Sequence, residues 1–409
     1  MKILSKSDKL SDVLFDVRGP IVEAASAMDL AGKNLKRLNI GNFADFDFDA
    51  PEEIRKQIIT SLRKSAGYSD GKGILESRIA LVHEAESQGI SGVSLEDIYL
   101  GNGASELILT ALNAFLDKGD ELLIPSPDFP LWTAATTLSG GRPIHYLCDE
   151  KNAWMPDLED FMSKISPRTK GLVIINPNNP TGALYSEKLL LELVEIARSY
   201  GLVVFSDEVC SKIIYDNSRH ISPASLATDV VMMTFNSLSK NYLSCGYRAG
   251  WLIVSGPKNI AKDYVDGLNL LANMKLCANV PGQWAISAAL EGRQVMNELV
   301  SESGRLTRQR DLAFDLLSSI PGVSCARPMA AIYIFPRLDP EIYPVLDDKK
   351  FFLDLLLETN VMVTQGTGFN WKNPDHFRIV FLPHEEELAS ALGSIRAFLE
   401  RRRIEFGTN

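Results

Sequence analysis

Gly171-Leu172-Val173-Ile174-Ile175 runs straight into Asn176-Pro177-Asn178-Asn179-Pro180-Thr181-Gly182, and the two halves of that stretch obey different rules. The first is a short apolar run rich in β-branched residues, which reads as a strand buried on both faces, whereas the second holds the residue types that dominate turns. From Ser186 to Tyr200 the apolar positions Leu189, Leu190, Leu193, Val194, Ile196 and Ala197 recur with a helical period. Leu202-Val203-Val204-Phe205 then begins another buried strand. Strand, loop, amphipathic helix, strand is the βα unit of a mostly parallel sheet, so the segment predicts an α/β fold.

The pattern extends outward from about residue 95 to 255, with further buried-strand candidates at Glu121-Leu122-Leu123-Ile124 and Val230-Val231-Met232-Met233-Thr234. After about residue 295 it changes: a long helix through 304–319, strands near 331–335 and 377–381, and a final helix over 385–401 predict a separate α+β lobe. A chain of 409 residues exceeds the size at which one core stops growing, so two lobes are the natural expectation. No internal repeat or low-complexity segment interrupts them.

Hydrophobic residues at 45% and charged residues at 23% are ordinary for a globular protein. The net charge of −10 argues against a polyanion-binding surface, so neither nucleic acid nor a membrane is an expected partner. The one basic cluster, Arg401-Arg402-Arg403, reads as a solvated helix end. Five cysteines without paired spacing suggest neither a disulfide framework nor a metal site. Met1-Lys2-Ile3-Leu4 meets charge at once and lacks the apolar stretch of a signal peptide, so the expected compartment is the cytoplasm.

Ligands in α/β sheets gather beyond the carboxyl ends of strands, and the chemically suggestive residues follow strand candidates. Ser237-Leu238-Ser239-Lys240 precedes Arg248 by eight residues: a lysine amine forms an imine with an aldehyde, while hydroxyls and a guanidinium hold a phosphate. Asn176 to Gly182 is equally a plain loop, and Asp207 in Ser206-Asp207-Glu208-Val209 is equally a helix cap. Taken singly, each bland alternative is the better account.

In this order and spacing the three segments resemble the fold-type I, pyridoxal-phosphate-dependent aminotransferases of class I/II, across nearly the whole chain. The look is nearest to bacterial glutamate–pyruvate (alanine) aminotransferases, through Asp16-Val17-Arg18-Gly19-Pro20, Leu38-Asn39-Ile40-Gly41-Asn42, Gly101-Asn102-Gly103-Ala104-Ser105-Glu106-Leu107-Ile108 and Leu276-Cys277-Ala278-Asn279-Val280-Pro281. The resemblance implies a large cofactor domain over 46–295 and a small domain over 296–409 joined by the segment 1–45. It implies a ping-pong reaction through an internal aldimine at Lys240, which also moves the substrate proton, with Asp207 on the pyridine nitrogen. Asn179 and the residue at 210 are implied at the phenolic oxygen, and Phe129 on the ring face. Gly103, Ala104, Ser105, Ser237, Ser239 and Arg248 are implied around the phosphate. Tyr68 is implied at the neighbouring subunit's phosphate, hence a homodimer with shared sites. Arg378 is implied as the bidentate fork for the substrate α-carboxylate, with Phe15, Arg18, Ile40, Gly41 and Asn179 around the substrate and Arg18 accepting a second carboxylate. The expected substrates are alanine or glutamate with pyruvate or 2-oxoglutarate.

The chain departs from the pattern at Cys210, where relatives carry a tyrosine that hydrogen-bonds the phenolic oxygen, and a thiol is a poor substitute. Phe15 and Phe129 stand where tyrosines are usual, Leu243 where an arginine is, and Met329-Ala330-Ala331 replaces a commoner Arg-Gly-Ala. These changes are either drift or retuning toward a larger, less polar substrate or another reaction on the same cofactor: elimination, decarboxylation or oxidation. A cofactor-binding regulator is the third reading, and it lacks both a DNA-binding module and a basic face.

Overall fold

A computed structural model describes residues 4–15 and 19–407. After a two-residue strand, β1 (Lys36–Arg37), come β2 (Ile98–Gly101), β3 (Glu121–Ser126), β4 (Arg142–Asp149), β5 (Met155–Pro156), β6 (Thr169–Ile175), β7 (Val203–Asp207), β8 (Met232–Ser237) and β9 (Gly250–Ser255). β2 to β9 form one sheet in the order β2-β9-β8-β7-β6-β3-β4-β5. The β4–β3–β6–β7–β8 ladders are parallel, while β9 runs against both β8 and β2, and β5 against β4. The sheet is thus mixed and mostly parallel.

Helices cover both faces, which is why the central strands are apolar without alternation. Leu107, Ile108, Trp132 and Leu268 pack on one face, and Leu81, Leu189, Leu190 and Ile286 on the other. The chain leaves β3 toward β4 and returns to β6 on the opposite side, so the winding direction reverses between β3 and β6. Such a reversal opens a crevice at the carboxyl ends of the strands. The register aligns those ends, with Ile175 opposite Asp207 and Asp207 opposite Phe235. The loops after β6, β7 and β8 therefore leave the sheet side by side.

A separate apolar core joins Ile21, Leu38 and Phe43 to Leu306, Leu355, Ile379 and Ile395. Its strands are β10 (Val323–Ser324), β11 (Tyr333–Ile334), β12 (Arg337–Leu338), β13 (Val361–Met362), β14 (Thr364–Gln365) and β15 (Phe377–Val380), flanked by the helices Arg305–Ser318, Asp348–Thr359 and Glu385–Phe406. β1 pairs in parallel with β13, and β15 lies between β11 and β14. The N-terminal segment thereby belongs to the C-terminal lobe's core.

Some boundaries differ from expectation. The strand read at 230–234 begins at Met232 and runs to Ser237, and the one read at 331–335 keeps only Tyr333 and Ile334 in a ladder. Ala331 sits at φ +60°, off the extended backbone that a ladder needs. The last helix continues to Phe406; its basic residues stay at the surface, with Arg401 paired to Glu358 and the less exposed Arg402 to Glu358 and Asp354. Among the described residues, no helix is long and apolar enough to cross a membrane, and no cluster of three or more His, Cys, Asp or Glu is arranged to hold a metal ion.

Candidate active site

A cavity of about 530 Å³ opens in the crevice at the carboxyl ends of the strands. Phe129 enters it from the loop after β3, Asn179 from the loop after β6, Asp207 from the end of β7, and Ser237, Ser239 and Lys240 from the end of β8 and the turn beyond. Ala104 and Ser105 approach from the helix after β2, and Phe15, Ile40, Gly41, Cys210, Arg248 and Arg378 also line it. Gly103 lies just behind the wall. Tyr68 is 83% exposed and does not reach the cavity of its own chain. Arg18 lies outside the described residues.

One end of the cavity is built to receive an anion. The helix Ala104–Phe115 starts at Gly103 (φ +81°) with no side chain capping its first amides, which leaves their partial positive charge facing the cavity beside Ser105. Arg248 reaches the same place and donates to the carbonyls of Cys245 (2.9 Å) and Asn102 (3.2 Å); it has no carboxylate partner among the described residues. A Cβ on Gly103 would stand 2.4 Å from Arg248 Nη2, so only glycine lets the guanidinium lie against the helix start. Gly250 works similarly in β9, where a Cβ would meet the Ala104 nitrogen at 2.5 Å.

At the other end Arg378 is 7% exposed. It donates to Asn179 Oδ1 at 3.0 Å and to the Asn39 carbonyl, while its Nε is buried without a partner among the described residues. The rings of Phe369 and Tyr333 lie 4.6 and 4.8 Å from the guanidinium carbon. Burial pulls its pKa down to about 10, against the influence of Tyr333. A buried cation without a counter-ion is costly, and here it faces a cavity. Among the described residues no carboxylate pairs with Arg378.

Between these ends Lys240 Nζ donates to the Gly41 carbonyl and lies 3.7 Å from Cys245 Sγ. Asp207 is buried at the cavity floor, where Trp132 Nε1 donates to Oδ2 (3.0 Å) and the Val209 amide to Oδ1 (3.3 Å). Burial raises its pKa, and those two donors oppose the rise. Cys210 is buried in the wall with its thiol pushed up to about 12 by burial, so it is neither a thiolate nor a strong donor. An amine, an isolated buried carboxylate, an open anion cradle and an orphaned guanidinium fit pyridoxal 5'-phosphate with an amino acid beside it.

Several lining residues carried no signal in the sequence. Trp132, Tyr333, Cys245, Phe369, Arg37 and Met362 reach the site or its supports only through folding, from helix, small strands and turns whose spacing obeys no motif. Trp132 had the nearest thing to a signal, lying three residues after Phe129.

The profile of the family described as "Aminotransferase class I and II" matches residues 33–395. The chain is 50% identical over 399 residues to glutamate-pyruvate aminotransferase AlaA of Escherichia coli K12, covering 98% of each protein. It is 52% identical to an alanine aminotransferase of Mycobacterium tuberculosis H37Rv, over 97% of this chain and 93% of that one. Among solved structures, an aminotransferase from Escherichia coli superposes with a TM-score of 0.96 at 50% identity, covering 98% of this chain and 99% of that one. Alanine aminotransferase from Pyrococcus furiosus superposes at 0.92 with 34% identity, covering 97% and 100%.

Proposed function

This chain belongs to the class I and II aminotransferases, pyridoxal-phosphate enzymes that pass an amino group from an amino acid to a 2-oxo acid, and on that premise we propose that it uses alanine and glutamate with pyruvate and 2-oxoglutarate. The observation that carries this reading is Arg378: a buried guanidinium whose only described partners are an amide and a carbonyl, facing a cavity, is placed for a carboxylate. The names of the two relatives above supply the choice of amino acids.

Lys240 Nζ, in the middle of the cavity, would hold the cofactor's aldehyde and would serve as the base for the proton on the substrate's Cα. Asp207, which pairs with no cation among the described residues, would keep a proton on the cofactor's pyridine nitrogen. The cofactor supplies a carbonyl for the incoming amine and a cationic ring that draws electrons from Cα. The Gly103-Ala104-Ser105 helix start, with Ser237, Ser239 and Arg248, would hold the phosphate. Phe129 would cover the ring face, and Asn179 would donate to its phenolic oxygen. Arg378 clamps the α-carboxylate, and Arg18 is assigned to a second carboxylate. The large domain spans 46–295 and the small domain 296–409 with 1–45. Tyr68 serves the partner subunit of a homodimer in the cytoplasm, and support for the dimer comes from its exposure beside Leu75, Leu270, Met274 and Leu276.

A second reading has its own support. The cavity mouth is lined by Phe15, Val22, Ile40 and Met362, and the nearby Arg37 guanidinium is already held by Asp29. That wall suits an aliphatic side chain better than a carboxylate. Absorbance of the purified enzyme separates the two. Loss of the cofactor's visible band on adding L-alanine or L-glutamate, and its return with pyruvate or 2-oxoglutarate, is the expected result. If both amino acids leave the band unchanged while leucine or methionine removes it, the alanine/glutamate assignment falls.

A further inference from the structure

Position 210 leaves the cofactor pocket one hydrogen-bond donor short, because the Cys210 thiol is buried and makes no described hydrogen bond. A phenol nevertheless enters the pocket from the other lobe. Tyr333, on β11, is 4% exposed and lines the cavity, with its ring under the Arg378 guanidinium. Its hydroxyl lies 3.5 Å from where a Cβ on Gly41 would stand, and that same Cβ would be 3.1 Å from Lys240 Nζ. The phenol therefore points toward Lys240, in the middle of the pocket.

The Tyr333 hydroxyl has no hydrogen-bond partner among the described residues. Burial holds its pKa well above the ordinary phenol value; Cys210, Cys245 and Asp207 push the same way and Arg378 the other, so it stays a neutral donor at any working pH. With Lys240 on the Gly41 side, these four are the titratable and charged groups around it. Asn179 spends its amide oxygen on Arg378, which leaves its amide nitrogen as the other free donor.

We propose that Tyr333 donates its hydroxyl to the phenolate oxygen of bound pyridoxal phosphate, alongside the Asn179 amide, and so replaces from the C-terminal lobe the donor missing at Cys210. This rests on the cofactor reading above. A donor there stabilises the ionised oxygen and lets the Lys240–cofactor linkage give up its proton more easily. Because the phenol comes from β11, it is at hand only while the two lobes are packed together.

The test is a pH titration of the visible cofactor band, without substrate, in the wild type, Y333F, C210Y and the double variant. Y333F keeps the ring against Arg378 and removes only the hydroxyl. Its midpoint is expected to rise by about one pH unit or more. C210Y is expected to lower the wild-type midpoint and to restore that of Y333F. A Y333F midpoint equal to the wild type's overturns the proposal, and so does a raised KM for the amino acid with the midpoint unmoved, which would assign the phenol to the substrate carboxylate. A wild-type protein with no visible band would overturn the cofactor reading itself.

Discussion

Asp207 accepts hydrogen bonds from the Trp132 indole and the Val209 amide and pairs with no cation among the described residues. Burial makes its charge costly, which is the reverse of what stability would select. In Asp207→Asn the charge goes and one of the two donors loses its acceptor, so the effects on folding nearly offset each other. We expect Tm to move by less than about 4 °C. Conversion of the bound cofactor by amino acid should slow by at least about a hundredfold, because the proton on the pyridine nitrogen loses its counter-charge. Stopped-flow absorbance and a thermal melt check both, and a variant retaining half the rate would sink the assigned role. Asp207 was legible because it ends a strand beside two other motifs; Trp132, its partner, was not, because an indole on a helix looks like any core residue.

Among the elements, β15 has the most exacting surroundings. It carries Arg378 and is preceded by His376, which is fully buried and stacked on Phe335 at 4.8 Å. His376 Nδ1 is 2.7 Å from Asp375 Oδ1, and Nε2 is 3.4 Å from Glu150 Oε1, near enough for an ion pair though not aligned as a hydrogen bond. Burial disfavours the imidazolium, but Asp375 and Glu150 outweigh it and the pKa is raised. Glu150 follows β4, so a charged histidine ties the large sheet to the strand bearing the substrate arginine. A raised folded pKa contributes stability in full below the unfolded value of about 6.5, and that contribution is lost as pH rises through the folded value. His376→Gln should therefore cost about 1–3 kcal/mol at about pH 6 and less at about pH 9. Urea unfolding at the two pH values tests this, and a gap that widened with pH would refute it. Nothing in Asp375-His376-Phe377-Arg378 announced the lock, since Glu150 is distant in sequence. The helix 186–200 was read almost to the residue because its apolar period reports burial directly. Val230 and Val231 misled because burial does not require a place in the ladder.

At the scale of the molecule, Tyr68, Leu75, Leu270, Met274 and Leu276 are each half or more exposed. The segment around Gly71 packs on the end of the helix Lys258–Met274, where a Cβ on Gly71 would touch Asn273 Oδ1 at 2.7 Å, so these side chains lie on adjoining elements. Sedimentation equilibrium should give twice the mass of one chain, and Tyr68→Ala should weaken cofactor binding while leaving that mass unchanged. A fully active monomer would remove the shared-site reading. The sequence by itself determined the α/β class and which residues follow the strands, because burial periodicity and strand-end loops are local properties that short stretches carry. Only the tertiary structure decided which side chains close the site: Tyr333 facing Cys210, Trp132 under Asp207, Arg378 buried without a counter-ion. Each is a meeting of residues far apart in the chain: Trp132 reaches Asp207 across the large sheet, while Tyr333 and Arg378 come in from β11 and β15, and no local pattern encodes either approach.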